Sequence, residues 1–192
     1  YEMTSSLVGS EMCIRDSKDY YNLMKDIDTA TLENTLVKEL TDRNMKISSA
    51  ESCTGGMISQ RITNVSGASN VFELGVCSYA NRIKNKVLGV SNETLNTVGA
   101  VSQETATQMC EGIKELSSSD IGVSTTGIAG PTGGTAKKPV GLVFIGIATK
   151  ESTTIYRAEL CHYTPHSRNE VRTMTTNLCM LLAIKATRNS EE

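Results

Sequence analysis

The stretch SSAESCTGGMISQ (48–60) sets Ser52 and Cys53 directly ahead of two glycines and a helix-compatible run. A serine at such a strand-to-helix turn can serve as a nucleophile. The unpaired N–H groups around Thr54 to Met57, helped by the helix dipole, would stabilise an alkoxide, an oxyanion or a phosphate. Gly55 and Gly56 would let the backbone turn tightly and approach a ligand. The same residues also satisfy a plain turn with Ser52 or Thr54 as N-cap. Cys53 is a rival nucleophile, because a thiol at a helix start ionises more readily.

A serine nucleophile needs a proton acceptor. His162 and His166 lie near the last strand–helix junction with no acid placed beside them by any motif, and the G-x-S-x-G elbow is absent. Lysine can take the role when its amine is desolvated. The segment Tyr79-Ala-Asn81-Arg-Ile-Lys84 offers a phenol, an amide and an amine at another strand-to-helix boundary. A strand-ending tyrosine and a surface lysine are equally ordinary there. The third candidate is the loop TGIAGPTGG (126–134), whose glycines can form an anion nest at a strand's C-terminal end. It lacks the G-K-[ST] ending of a P-loop, which disfavours an NTPase, and a flexible connection is its plainer reading.

Leu32, Leu36 and Leu40 predict a helix that ends near Asn44. Strands are expected at 45–50, within 72–79, and at 120–126, 140–149 and 153–161. Short helices are expected at 55–63 and 81–88, and a turn at 93–96. Ser102 is a good N-cap for a helix that turns Ala106, Met109, Ile113 and Leu116 inward. Ser167 to Glu170 has capping-box spacing for a last helix carrying Val171, Met174, Leu178, Leu181 and Leu182 inward. The alternation predicts an α/β chain, a single three-layer-like domain with helices packed on a central mixed β-sheet. Residues 1–28 are expected to form an extraneous or poorly ordered leader, and 29–190 the domain proper.

The 192 residues suit one domain. Nineteen basic and 21 acidic side chains nearly balance, which argues against broad electrostatic binding of nucleic acid or an anionic membrane. The longest apolar run is too short to span a bilayer, and residues 1–28 lack the pattern of a targeting segment. Six cysteines without a C-x-x-C pair, and only two histidines, point to reduced thiols in a cytoplasmic protein with no metal site.

Taken together, AESCTGG (50–56), Tyr79-x-Asn81-x-x-Lys84 with LGV (88–90), GAVS (99–102), TGIAGPTGG (126–134) and KPVG (138–141) resemble one family, in order and separation. It is the CinA C-terminal domain family, the nicotinamide-nucleotide amidases also called PncC, and the resemblance covers residues 30–188. It implies hydrolysis of the carboxamide of nicotinamide mononucleotide to nicotinate mononucleotide and ammonia, with no cofactor. It implies Ser52 as nucleophile and Tyr79 and Lys84 as proton-transfer partners. Thr54, Gly55, Gly56, Asn81, Thr126, Gly127 and Arg168 would be the substrate-binding set, with Arg168 a phosphate contact. At that segment the chain reads Pro-His-Ser-Arg, where many relatives have Pro-Gly-Asp-Arg. Relatives also suggest a homo-oligomer. The N-terminal domain of longer members has no counterpart in these residues. The competing reading is a non-catalytic nucleotide-binding module of the same fold.

Overall fold

The computed structural model describes residues 12–14 and 17–189. Strand β1 (Met12–Ile14) and helices α1 (Ser17–Met24) and α2 (Leu32–Asp42) lead into strand β2 (Ile47–Glu51). Helix α3 (Met57–Thr63), strand β3 (Phe72–Cys77), and helices α4 (Asn81–Leu88), α5 (Asn92–Thr97) and α6 (Gln103–Ser117) follow. Strands β4 (Ile121–Gly127), β5 (Leu142–Ala148) and β6 (Thr153–Glu159) precede the long helix α7 (Arg168–Asn189).

The six strands form one mixed sheet in the order β1-β6-β5-β4-β2-β3. Strands β4, β2 and β3 are mutually parallel, whereas β5 runs antiparallel to both β4 and β6. Alternation along β5 shows why the domain has three layers. Val143, Ile145 and Ile147 join the core under α2, α3 and α7, while Leu142, Phe144 and Ala148 join a cluster with Ala106 and Cys110 of α6. The period-two pattern of a strand buried on both faces requires that split. Helix α6 lies unusually close to the sheet. A Cβ at Gly122 would meet the Cys110 carbonyl oxygen at 2.2 Å, and one at Gly146 would meet that of Ala106 at 2.9 Å.

Ser102 caps α6 through a bond from Thr105 N, and Ser167 and Glu170 exchange the two bonds of a capping box at 2.7 and 3.3 Å. Three expectations are corrected. Leu116 is 54% exposed, because the inward stripe of α6 ends at Ile113. The turn at 93–96 is a helix, α5, capped by Ser91.

The leader over 1–28 is not outside the fold where it is described: β1 pairs with β6, and Tyr20 and Met24 of α1 are buried. The Tyr20 hydroxyl accepts from Asn177 Nδ2 of α7 at 2.8 Å. The helical spacing of Tyr20, Leu23, Met24 and Ile27, all in or against the main core, is the physical reason. Residues 1–11 and 15–16 lie outside the described residues. Among the described residues no helix is long and apolar enough to cross a membrane.

Candidate active site

The parallel strands β4, β2 and β3 end on the same edge, and strand order reverses at β2, the position where open α/β sheets leave a crevice for ligands. Ser52 follows β2, Ser78 and Tyr79 follow β3, and Ile128 follows β4. Backbone bonds from Ser52 N to Thr125 O and from Ser78 N to Glu51 O, both 2.9 Å, extend the ladders into these loops.

Between β2 and α3 the chain makes a tight turn closed by Gly55 N donating to Ser52 O at 3.2 Å. Gly55 and Gly56 have φ of +61° and +96°, a left-handed backbone that explains two consecutive glycines. Arg172 of α7 donates through Nε to Cys53 O at 3.2 Å and through Nη2 to Thr54 O at 2.9 Å.

Lys84, in the first turn of α4, is 1% exposed. Its Nζ stands 3.0 Å from Ser52 Oγ, 2.6 Å from Ser78 O and 3.3 Å from Tyr79 O. Burial holds its pKa below the ordinary lysine value. A neutral amine has two hydrogens and one lone pair. With Lys84 neutral, the two carbonyls would accept those hydrogens and the lone pair would face the Ser52 hydroxyl.

Cys53 is the opposite case. Desolvation, reinforced by Glu51, pushes its buried thiol up to about 12, so it is not a thiolate near neutral pH.

A cavity of about 190 Å³ opens beside the pair, and Ser52, Tyr79, Lys84, Thr126, Gly127 and Arg168 all line it. Tyr79 is 62% exposed, and its phenol accepts from Arg168 Nη2 at 2.8 Å, while Arg168 Nη1 donates to Gly130 O at 2.9 Å. The phenol thus stands with Arg168 at the mouth, and it is the Tyr79 carbonyl that touches the lysine. Thr54, Gly55, Gly56 and Asn81 do not line the cavity. Thr54 is buried, donating to Glu51 at 2.7 Å, and Asn81 is exposed at the start of α4.

The helix-start donors are also committed: Gly56 N, Ile58 N and Ser59 N all bond to the Glu51 carboxylate, at 3.0, 3.1 and 2.9 Å. An oxyanion at α3 would have to displace it. Ala100, Val101 and Ala129 line the cavity as well and were not among the expected site residues. The GAVS motif carried the signal for the first two, because Thr126 Oγ1 holds the Ala100 carbonyl at 2.6 Å. A second cavity of about 550 Å³ shares Val101 and is rimmed by Lys137, Lys138 and Arg157. Among the described residues no group of three or more His, Cys, Asp or Glu could hold a metal ion.

A mixed α/β sheet with a part-buried serine–lysine contact at the ends of its parallel strands defines the class. Within it, the chain belongs to the CinA C-terminal domain family, which it matches over residues 29–186. It is 46% identical over 173 residues to a protein of Caldanaerobacter subterraneus subsp. tengcongensis named for competence-damage induction, covering 90% of this chain and 40% of that one. It is 47% identical over 142 residues to a CinA-like protein of Kosmotoga olearia, covering 74% of this chain and 34% of that one. The chain therefore spans well under half the length of these curated relatives.

Two solved structures share the fold. The competence/damage inducible protein CihA from Agrobacterium tumefaciens superposes with a TM-score of 0.77 at 36% identity, covering 82% of this chain and 95% of that one. A CinA superfamily protein from Klebsiella pneumoniae gives 0.79 at 25% identity, covering 84% and 99%.

Proposed function

We propose that this domain hydrolyses the carboxamide of nicotinamide mononucleotide, releasing ammonia and nicotinate mononucleotide. The observation that carries the reading is the buried Lys84 amine 3.0 Å from Ser52 Oγ, with two carbonyls occupying its remaining hydrogens. Neutral Lys84 takes the Ser52 proton as Oγ bonds to the amide carbon. The tetrahedral intermediate collapses, the C–N bond breaks, and the lysine ammonium gives its proton to the departing ammonia. Water then attacks the acyl ester, with Lys84 again as base, which restores Ser52.

The oxyanion donor in this reading is the amide N–H of Cys53, the residue after the nucleophile. The Ser52 carbonyl is turned to Gly55 N, and a trans peptide points the following N–H the opposite way, out of the turn. Arg168 at the mouth is the proposed phosphate contact, since it keeps N–H donors beyond the two engaged by Tyr79 and Gly130.

Ammonia release from nicotinamide mononucleotide, followed with a coupled assay, tests the reading. Turnover that disappears in Ser52→Ala supports it. Saturable binding of the nucleotide without ammonia release would leave the binding-module reading in its place.

A further inference from the structure

Glu51 ends β2 one residue before Ser52 and is 1% exposed. One carboxylate oxygen accepts from Thr54 Oγ1, Gly56 N and Ile58 N at 2.7, 3.0 and 3.1 Å. The other accepts from Ser59 N at 2.9 Å and Ser59 Oγ at 2.7 Å. Among the described residues no lysine or arginine forms an ion pair with it, and its direct partners are these five hydrogen bonds from the turn and the start of α3.

A short polar N-cap would satisfy α3 equally well. Here the cap comes instead from the residue preceding the proposed nucleophile, folded back across the turn. Ser52 is therefore suspended between two fixed points: its own N–H on Thr125 O, and the side chain of its predecessor on α3. The carbonyl side of the turn is equally committed, to Gly55 N and to Arg172.

We propose that Glu51 is a positioning residue for Ser52: its carboxylate locks the turn so that Oγ stays within reach of Lys84 Nζ. The proposal rests on the reading of Ser52 as nucleophile. A carboxamide at position 51 would keep the shape but turn an NH2 toward N–H donors, so the turn would have to shift. A displacement of about 1 Å in a reacting group costs on the order of 10²-fold in rate.

The test is the second-order rate of inactivation by a fluorophosphonate, with the adduct located by mass spectrometry. In that step Oγ–P forms, P–F breaks, fluoride leaves and the Ser52 proton passes to Lys84. Wild type is expected to be labelled at Ser52, and Glu51→Gln about 100-fold more slowly. The KM of that variant for nicotinamide mononucleotide should stay within about threefold while kcat falls, because no part of Glu51 lines the cavity. Ser91→Ala, which removes the cap of α5, is the control for mere destabilisation: it lowers Tm and leaves the labelling rate unchanged. If Glu51→Gln does not fold, Ser59→Ala removes one of the five contacts and should slow labelling by about 3- to 10-fold. Wild-type labelling rates in Glu51→Gln or, failing that variant, in Ser59→Ala overturn the proposal alone. An unlabelled Ser52 in wild type overturns the nucleophile reading, and this proposal with it.

Discussion

Two glycine-rich loops flank the site, and they are built on opposite principles. In the turn over 52–56 both Cys53 and Thr54 are buried, and the polar groups around them are tied to Glu51, Arg172 and Thr125. In the loop after β4 the ends are pinned, by Ile128 N on Leu142 O and Gly141 N on Ile128 O, but residues 131–137 are exposed. In the proposed reaction the first loop holds the reacting groups in place, which demands a fixed backbone. The second has its tip in water and only its base, Gly127 and Ala129, against the cavity. Glycine content alone does not separate a rigid loop from an open one. The buried charged partner does.

The contrast is broken most severely at the first loop. Ser52→Ala should reduce ammonia release by about 10³-fold or more, and Lys84→Met by about 10²–10⁴-fold, both read in the coupled assay with folding checked by circular dichroism. A wild-type rate in Lys84→Met would remove the lysine from the mechanism. At the mouth, Tyr79→Phe removes an acceptor from Arg168. It should raise KM by up to about 10-fold with kcat preserved, since the loss of one solvent-exposed hydrogen bond is worth about 0.5–1.5 kcal/mol and about 1.4 kcal/mol is tenfold. A collapse of kcat instead would put the phenol in the proton path.

Stability against pH sharpens the same distinction. Lys84 has its folded pKa below the unfolded value, so between the two the unfolded chain binds more protons, and stability contributed by this group rises with pH toward the ordinary lysine range. Subtracting the Lys84→Met unfolding curve from wild type should isolate that rise, and a flat difference would contradict a depressed lysine. The smallest effect belongs to the open loop. Lys137→Ala should change unfolding free energy by no more than about 0.5 kcal/mol in denaturant titration, as for other exposed positions.

Much of this was legible in the residues. The period-four leucines of α2, the Ser102 cap and the Ser167–Glu170 capping box are local signals, and local physics decides them. Ser52 and Lys84 were legible as candidates, whereas their meeting depends on β2 and β3 pairing in register, a contact that spacing does not encode. A glutamate ending a polar strand reads as exposed, and only the fold-back onto α3 buries Glu51. The helix start reads as an oxyanion site for the same reason: its donors look free in the sequence, and the carboxylate occupies them only in the fold. Tyr20, Leu23, Met24 and Ile27 have helical spacing, but about two turns of apolar periodicity are a weak signal without the core they pack against.

The central claim is that a neutral Lys84 takes the proton of Ser52, and the pH dependence of kcat/KM for nicotinamide mononucleotide tests it most directly. Below the pKa of the free enzyme's lysine the amine is protonated and the serine has no base; above it the pair is active. The account predicts a rate that rises through a single ionisation lying below the ordinary lysine value of 10.5 and then levels off. A limb centred at the ordinary lysine value, or a profile with no rising limb, would contradict it.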